Sequence, residues 1–174
     1  MEEFISLAPG WAEKLKQIKI VAMDVDGVLT DGGMYYTQQG ETMKKFNARD
    51  GQALRLLREQ GLIVALITGE KNESVLRRAE KLKIKDVYLN ARDKIAVAEG
   101  LLTKYNLTWK NLLYIGDDWI DVSLLETAGF SCAPLDAMPW AIEKVDFVCT
   151  RNGGTGVMGD IYYLLNKVKK GHLA

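Results

Sequence analysis

The chain has 174 residues, 48% hydrophobic and 26% charged, with 23 basic side chains against 23 acidic ones. That length suits one domain with a real core, and the balanced charge sets up no field to draw nucleic acid or a membrane surface. No apolar run reaches the ~18 residues of a membrane span, the first 19 residues are not a signal peptide, and Cys132 and Cys149 lack metal or redox spacing, which fits a reducing cytoplasm.

In chain order, Trp11, Ala12 and Leu15 predict a short helix over 9–17, leading into a buried strand over 18–23. The strand stops at Asp24-Val25-Asp26-Gly27. Two short extended runs, 34–37 and 41–46, are joined by Gln38-Gln39-Gly40 as a hairpin, so a small insertion at about 33–46 is expected in place of a full lid. A helix over 50–60 is closed by Gly61, a strand follows over 62–67, and Thr68-Gly69-Glu70 leads to a helix over 72–83. A third strand covers 86–89, Asp93 caps a helix over 94–105, and a fourth strand covers 111–115. After Gly116-Asp117-Asp118 come a helix over 119–128, a strand over 130–133, a turn or two of helix over 137–144, a short strand at 147–148 and a last helix over 155–169. This alternation predicts an α/β fold: a Rossmann-like parallel sheet with helices on both faces. Its active site then lies beyond the carboxyl ends of the strands, where Asp24, Asp26, Thr68, Asp117 and Asp118 converge.

Residues i and i+2 of a strand point the same way. Asp24 and Asp26 therefore aim at one point, where like charges repel unless a cation lies between them. Carboxylates with water and phosphate suit Mg²⁺. The competing reading is a turn with two solvated aspartates. Thr68-Gly69 offers a hydroxyl and free amides at a helix start, an anion site or a plain cap. Asp117, Asp118 and Asp121 put three acids in five positions. Asp117 can complete the metal set, while Asp118 and Asp121 share a helix face and can orient Lys94 or metal waters. Lys94, Arg78 and Lys81 could supply the fixed positive charge of a phosphate site, although surface charge is the bland alternative for each. The sole histidine, His172, lies two residues from the end, which disfavours Ser–His, Cys–His and His–zinc chemistry. Gly154 to Gly159 matches G-x-G-x-x-G, but only 15 residues follow it, too few for a dinucleotide-binding unit. It reads as a flexible, glycine-rich lead into the last helix.

D-V-D-G-V-L-T, I-T-G, a downstream lysine and G-D-D-x-x-D stand here in order. Over about residues 18–165 the chain resembles the haloacid dehalogenase superfamily of phosphatases. The short hairpin, F-N-A-R-D-G at 46–51 and the Gly-rich segment near the end resemble its small capless members, which hydrolyse 3-deoxy-D-manno-octulosonate 8-phosphate or nine-carbon 9-phosphates such as the KDN form. The resemblance implies that Asp24 is a nucleophile forming an aspartyl phosphate and that Asp26 is the general acid and then base. It implies Mg²⁺ on Asp24, the Asp26 carbonyl and Asp117, with Thr68 and Lys94 on the phosphoryl oxygens and Asp118 and Asp121 in support. It also implies a homotetramer in which a neighbour covers the site, with residues 153–156 reaching toward that neighbour. Octulosonate phosphatases typically read T-G-R where this chain has Thr68-Gly69-Glu70. Glu70 with Lys81 resembles the nine-carbon branch, with Arg78 available for a sugar-acid carboxylate. The alternative from another class is a non-enzymatic phospho-acceptor of the receiver type. It is disfavoured because the acid pair itself ends the first strand. A phosphomutase is a weaker third reading.

Overall fold

The first helix, α1 (Trp11–Lys16), feeds strand β1 (Ile20–Met23), whose four residues are all apolar and all buried. The computed structural model describes residues 8–169, with backbone alone at 41 and 42. The expected hairpin forms as β2 (Tyr35–Thr37) and β3 (Gly40–Met43), paired antiparallel. Helix α2 (Ala48–Glu59) leads to β4 (Ile63–Ile67), and α3 (Glu73–Lys81) to β5 (Asp86–Tyr88). Helix α4 (Lys94–Lys104) precedes β6 (Leu112–Ile115), α5 (Val122–Thr127) precedes β7 (Phe130–Ala133), α6 (Pro139–Ile142) precedes β8 (Phe147–Val148), and α7 (Val157–Lys169) ends the described chain.

Six strands form one sheet in the order β5-β4-β1-β6-β7-β8, with every neighbouring pair parallel. Strands covered on both faces become continuous apolar runs, as I-V-A-M and L-L-Y-I are. Alternate side chains serve opposite cores. Val21, Met23, Leu66 and Ile115 pack with Leu57 of α2, Val75 of α3 and Ile161 of α7. Ile20, Ala22, Ile67 and Tyr114 pack with Leu101 of α4, Leu124 of α5 and Ala141 of α6. The chain order reverses at β1, which puts a crevice at its carboxyl end.

Two helix boundaries depart from the sequence reading for identifiable reasons. Helix α2 begins at Ala48 rather than 50, because the Asn47 side chain caps it by accepting from the Arg49 amide at 2.8 Å. The helix expected over 119–128 splits into a 3-10 turn (Trp119–Asp121) and α5. There the Asp121 carboxylate turns back to take the amides of Asp117 and Asp118, at 3.1 and 3.3 Å.

The Gly-rich segment before α7 differs from its expectation more sharply. It is not a flexible lead: Gly153 and Gly154 are buried against the loop after β1. A Cβ on Gly153 would collide with the carbonyl of Gly27, and the Gly154 amide donates to the Val28 carbonyl at 2.9 Å. Asp50, itself buried, accepts from the amides of Gly156 and Met158 at 3.1 and 2.8 Å and so ties the start of α7 to α2.

Candidate active site

Ladder bonds carry three chain segments to one place. The Asp24 amide donates to the Ile115 carbonyl at 2.9 Å, the Thr68 amide to the Tyr88 carbonyl at 3.0 Å, and the Gly116 amide to the Cys132 carbonyl at 3.2 Å. Asp24 and Thr68 thus follow directly on β1 and β4, and Asp117 follows β6 after Gly116. The turn after Asp26 depends on Gly27, whose φ is +77° and whose missing Cβ leaves room for the Asp117 carboxylate.

Carboxylate oxygens of Asp24, Asp117 and Asp121 all lie within 4.8 Å of one another. Lys94, 2% exposed, is 3.0 Å from Asp24 and 2.7 Å from Asp121. Burial drives the Asp24 carboxyl up to about 7 despite Lys94, with Asp121 adding repulsion. Burial likewise pushes Asp117 up to about 8, helped by the charges of Asp24, Asp121 and Asp118. Burial alone would depress the Lys94 ammonium, but Asp24 and Asp121 outweigh it and hold it above the usual lysine value.

The three acids are not equivalent. Asp121 is fully buried with both oxygens engaged, Oδ1 by Lys94 and by the Tyr114 hydroxyl at 2.5 Å, Oδ2 by the two amides. It holds the others in place. Asp117 Oδ1 is buried with no hydrogen-bond partner among the described residues. Such an oxygen in low dielectric is costly unless a cation or a proton meets it. The donor set is all hard oxygen, which fits a magnesium-type ion better than a soft metal. Asp24 and Asp117 are the side chains that could hold such an ion.

The remaining expected residues spread out. Asp26 Oδ1 is bound by Lys44 at 2.7 Å and lies 3.4 Å from the Thr30 hydroxyl, while Oδ2 is buried without a partner among the described residues. Thr68 is buried, and its hydroxyl accepts from the Glu70 amide at 3.2 Å. Asp118 is exposed and caps the turn, accepting from the Trp119 amide at 2.6 Å and from Trp140 Nε1 at 3.1 Å. Glu70 is exposed just beyond β4. Arg78 and Lys81 are not brought into the acid cluster. The Arg78 guanidinium donates to the Asn47 carbonyl at 2.8 Å and lies over the Phe46 ring, so it is committed to the start of α2. Lys81 is exposed in the last turn of α3, which leads to the amino end of β5.

Two contributors escaped the sequence reading. Lys44 left a trace, since it is buried between exposed Met43 and Lys45, and strand alternation would have aimed it inward. Tyr114 left one too: a phenol inside an apolar run needs a partner for its hydroxyl.

A family model for haloacid dehalogenase-like hydrolases matches residues 86–161. The chain is 36% identical to the 3-deoxy-D-manno-octulosonate 8-phosphate phosphatase of Salmonella typhimurium, over 91% of this chain and 85% of that protein. It is 38% identical to that of Escherichia coli, over 87% and 81%. The Moraxella catarrhalis phosphatase of that name, solved with magnesium, phosphate and KDO, superposes with a TM-score of 0.87 at 35% identity, covering 90% of each chain. The cobalt-bound form from Haemophilus influenzae gives 0.87 at 33%, covering 90% of this chain and 92% of that one. The chain belongs to the haloacid dehalogenase-like hydrolases, in the branch that holds these phosphatases.

Proposed function

We propose that this protein is a Mg²⁺-dependent phosphatase that hydrolyses 3-deoxy-D-manno-octulosonate 8-phosphate through a phosphorylated Asp24. The observation that carries the reading is the pairing of buried Asp24 with Lys94 beside the unpartnered Asp117 oxygen. That constellation supplies a nucleophile, a fixed cation and an open ligand. Relatives bearing that activity in their names support the choice of substrate.

Asp24 Oδ attacks phosphorus, and the bond from phosphorus to the sugar oxygen breaks. Asp26 gives that oxygen its proton, releasing the sugar acid, and then takes a proton from the water that attacks the aspartyl phosphate, as the bond from phosphorus to Asp24 Oδ breaks and phosphate leaves with Asp24 regenerated. Thr68 and Lys94 face the phosphoryl oxygens and offset their charge. Asp24, Asp117 and the backbone carbonyl of Asp26 would hold Mg²⁺, which neutralises charge on the phosphoryl group when bound. Asp118 and Asp121 act through other groups, Asp121 by fixing Lys94 and the loop amides.

Glu70 is the residue we retain for substrate selection, since it stands exposed beside Thr68. It is also what keeps a nine-carbon 9-phosphate in the comparison. Arg78 and Lys81 would contribute only from the flank of α3. We read the chain as one domain with a hairpin insertion, assembled as a homotetramer in the cytoplasm. Exposed Met34, Tyr35, Tyr36 and Met43 on and beside the hairpin, and exposed Trp119 and Trp140, support self-association. Among the described residues no helix is long and apolar enough to cross a membrane.

The test is phosphate release with Mg²⁺ from octulosonate 8-phosphate and KDN 9-phosphate side by side, with Asp24→Asn as the blank. Preference for the eight-carbon ester supports the reading, and preference for the nine-carbon ester reassigns the substrate through Glu70. A long-lived phosphoprotein without turnover would replace the phosphatase with a phospho-acceptor.

A further inference from the structure

The hairpin returns to the body of the protein through two consecutive lysines, and both grip the loop that follows β1. Lys44, with a fully buried side chain, is 2.7 Å from Asp26 Oδ1, and its neighbour Lys45 pairs with Asp31. Asp26 and Asp31 bracket the loop whose turn is set by Gly27. The insertion is thus fastened by charge to both ends of the catalytic loop, and one fastening falls on the acid that must protonate the leaving group.

We propose that Lys44 is a positioning residue that dictates which oxygen of Asp26 delivers the proton, a role that rests on the phosphatase reading above. Oδ1 faces an ammonium, which brings only hydrogens to the contact. A proton on Oδ1 would point at those hydrogens, so the acid form of Asp26 carries its proton on Oδ2. Oδ2 is the oxygen left without a partner in the structure. Lys44 also holds the carboxylate to one rotamer. The reaction itself is unchanged: the Oδ2 proton passes to the bridging sugar oxygen as its bond to phosphorus breaks, and the Asp26 carboxylate remains paired with Lys44. The hairpin then serves proton delivery from within its own chain, whatever else covers the site.

The experiment separates proton delivery from phosphoryl transfer by the leaving group. A sugar alkoxide must be protonated as it leaves, whereas p-nitrophenolate leaves without help. Leaving-group release in the first turnover is measured by rapid quench, with Mg²⁺, for octulosonate 8-phosphate and p-nitrophenyl phosphate, in wild type, Lys44→Met and Lys44→Arg. Lys44→Met is expected to slow first-turnover release from the sugar ester by roughly 10²-fold and from p-nitrophenyl phosphate by about threefold or less. Lys44→Arg, which keeps the charge, is expected to recover most of the sugar-ester rate. Equal loss on both esters, no loss on either, or no recovery with arginine would overturn the proposal. Should Lys44→Met fail to fold, Lys44→Gln carries the same comparison. A wild type inactive on both esters would overturn the phosphatase reading and this role together. An active wild type with unsplit losses would overturn this role alone.

Discussion

Lys94 and Asp121 meet at 2.7 Å although 27 positions separate them, and neither side chain is more than 2% exposed. Neither would be tolerated there alone. A buried lysine needs a carboxylate, and a buried carboxylate needs donors for both oxygens. Asp24 shares the same lysine from the other side. Asp24 is therefore held by a cation that is itself held, and the order of attachment runs from Tyr114 through Asp121 and Lys94 to Asp24.

Removing the far end of that chain tests it without touching the reacting atoms. Tyr114→Phe deletes one donor to Asp121 and leaves the ring in place. It is expected to cost about 1–3 kcal/mol, because a buried charged acceptor loses a hydrogen bond. Urea denaturation reads the loss directly, and an unchanged midpoint would show that Asp121 is held well enough by Lys94 and the loop amides.

Asp117 is expected to show opposite effects on stability and activity. Asp117→Asn removes a carboxyl that burial and its neighbours push up to about 8. The metal-free variant is expected to be more stable than wild type above that pH, while Mg²⁺-dependent phosphate release falls by at least roughly 10²-fold. Thermal melts with and without Mg²⁺ check both halves, and a variant that loses stability without metal contradicts the electrostatic account.

The pH dependence has a definite sign. Asp24 is raised to about 7 and Asp117 to about 8, from 3.8. In that window the folded state binds more protons than the unfolded one, so stability falls as pH rises. The contribution of these two acids is fully present below pH ~4 and is gone above about pH 8. Lys94 stays charged across the window and does not alter the slope. Metal-free protein should therefore lose urea stability between pH 5 and pH 8, at about fixed ionic strength, and added Mg²⁺ should raise the melting temperature more at the upper end. A rising curve, or a metal effect larger at the acid end, would count against the assignment.

Helix α7 should depend on Asp50. Asp50→Ala strips the acceptor from the Gly156 and Met158 amides. A loss of about 1–3 kcal/mol is expected. Hydrogen exchange at those two amides locates the damage; protection equal to wild type would show that another group caps the helix.

Much of this was readable in the chain. The alternation of apolar strands with helices gave the sheet, since period and length distinguish the two in a parallel fold. The acids Asp24, Asp26 and Asp117 stood out because each follows a buried run. What stayed hidden depended on pairings between distant segments. Nothing near Arg78 announces that its guanidinium goes to the Asn47 carbonyl, and Lys44 is one basic residue among 23 until the hairpin folds back. The Gly153-Gly154 segment misled for a related reason. Glycines signal either freedom or close approach, and only the partner surface, here Gly27 and Val28, decides which.

That last packing has a consequence for how the protein is made. The loop after β1 is made long before the Gly153-Gly154 shelf that backs it. A nascent chain that has emerged as far as β8 carries every acid of the cluster, yet lacks the Gly153-Gly154 backbone that packs against Gly27 and Val28. The loop after β1 gains this backing when residues 153–169 dock. Chains that stop short of residue 153 lack that backing for the loop.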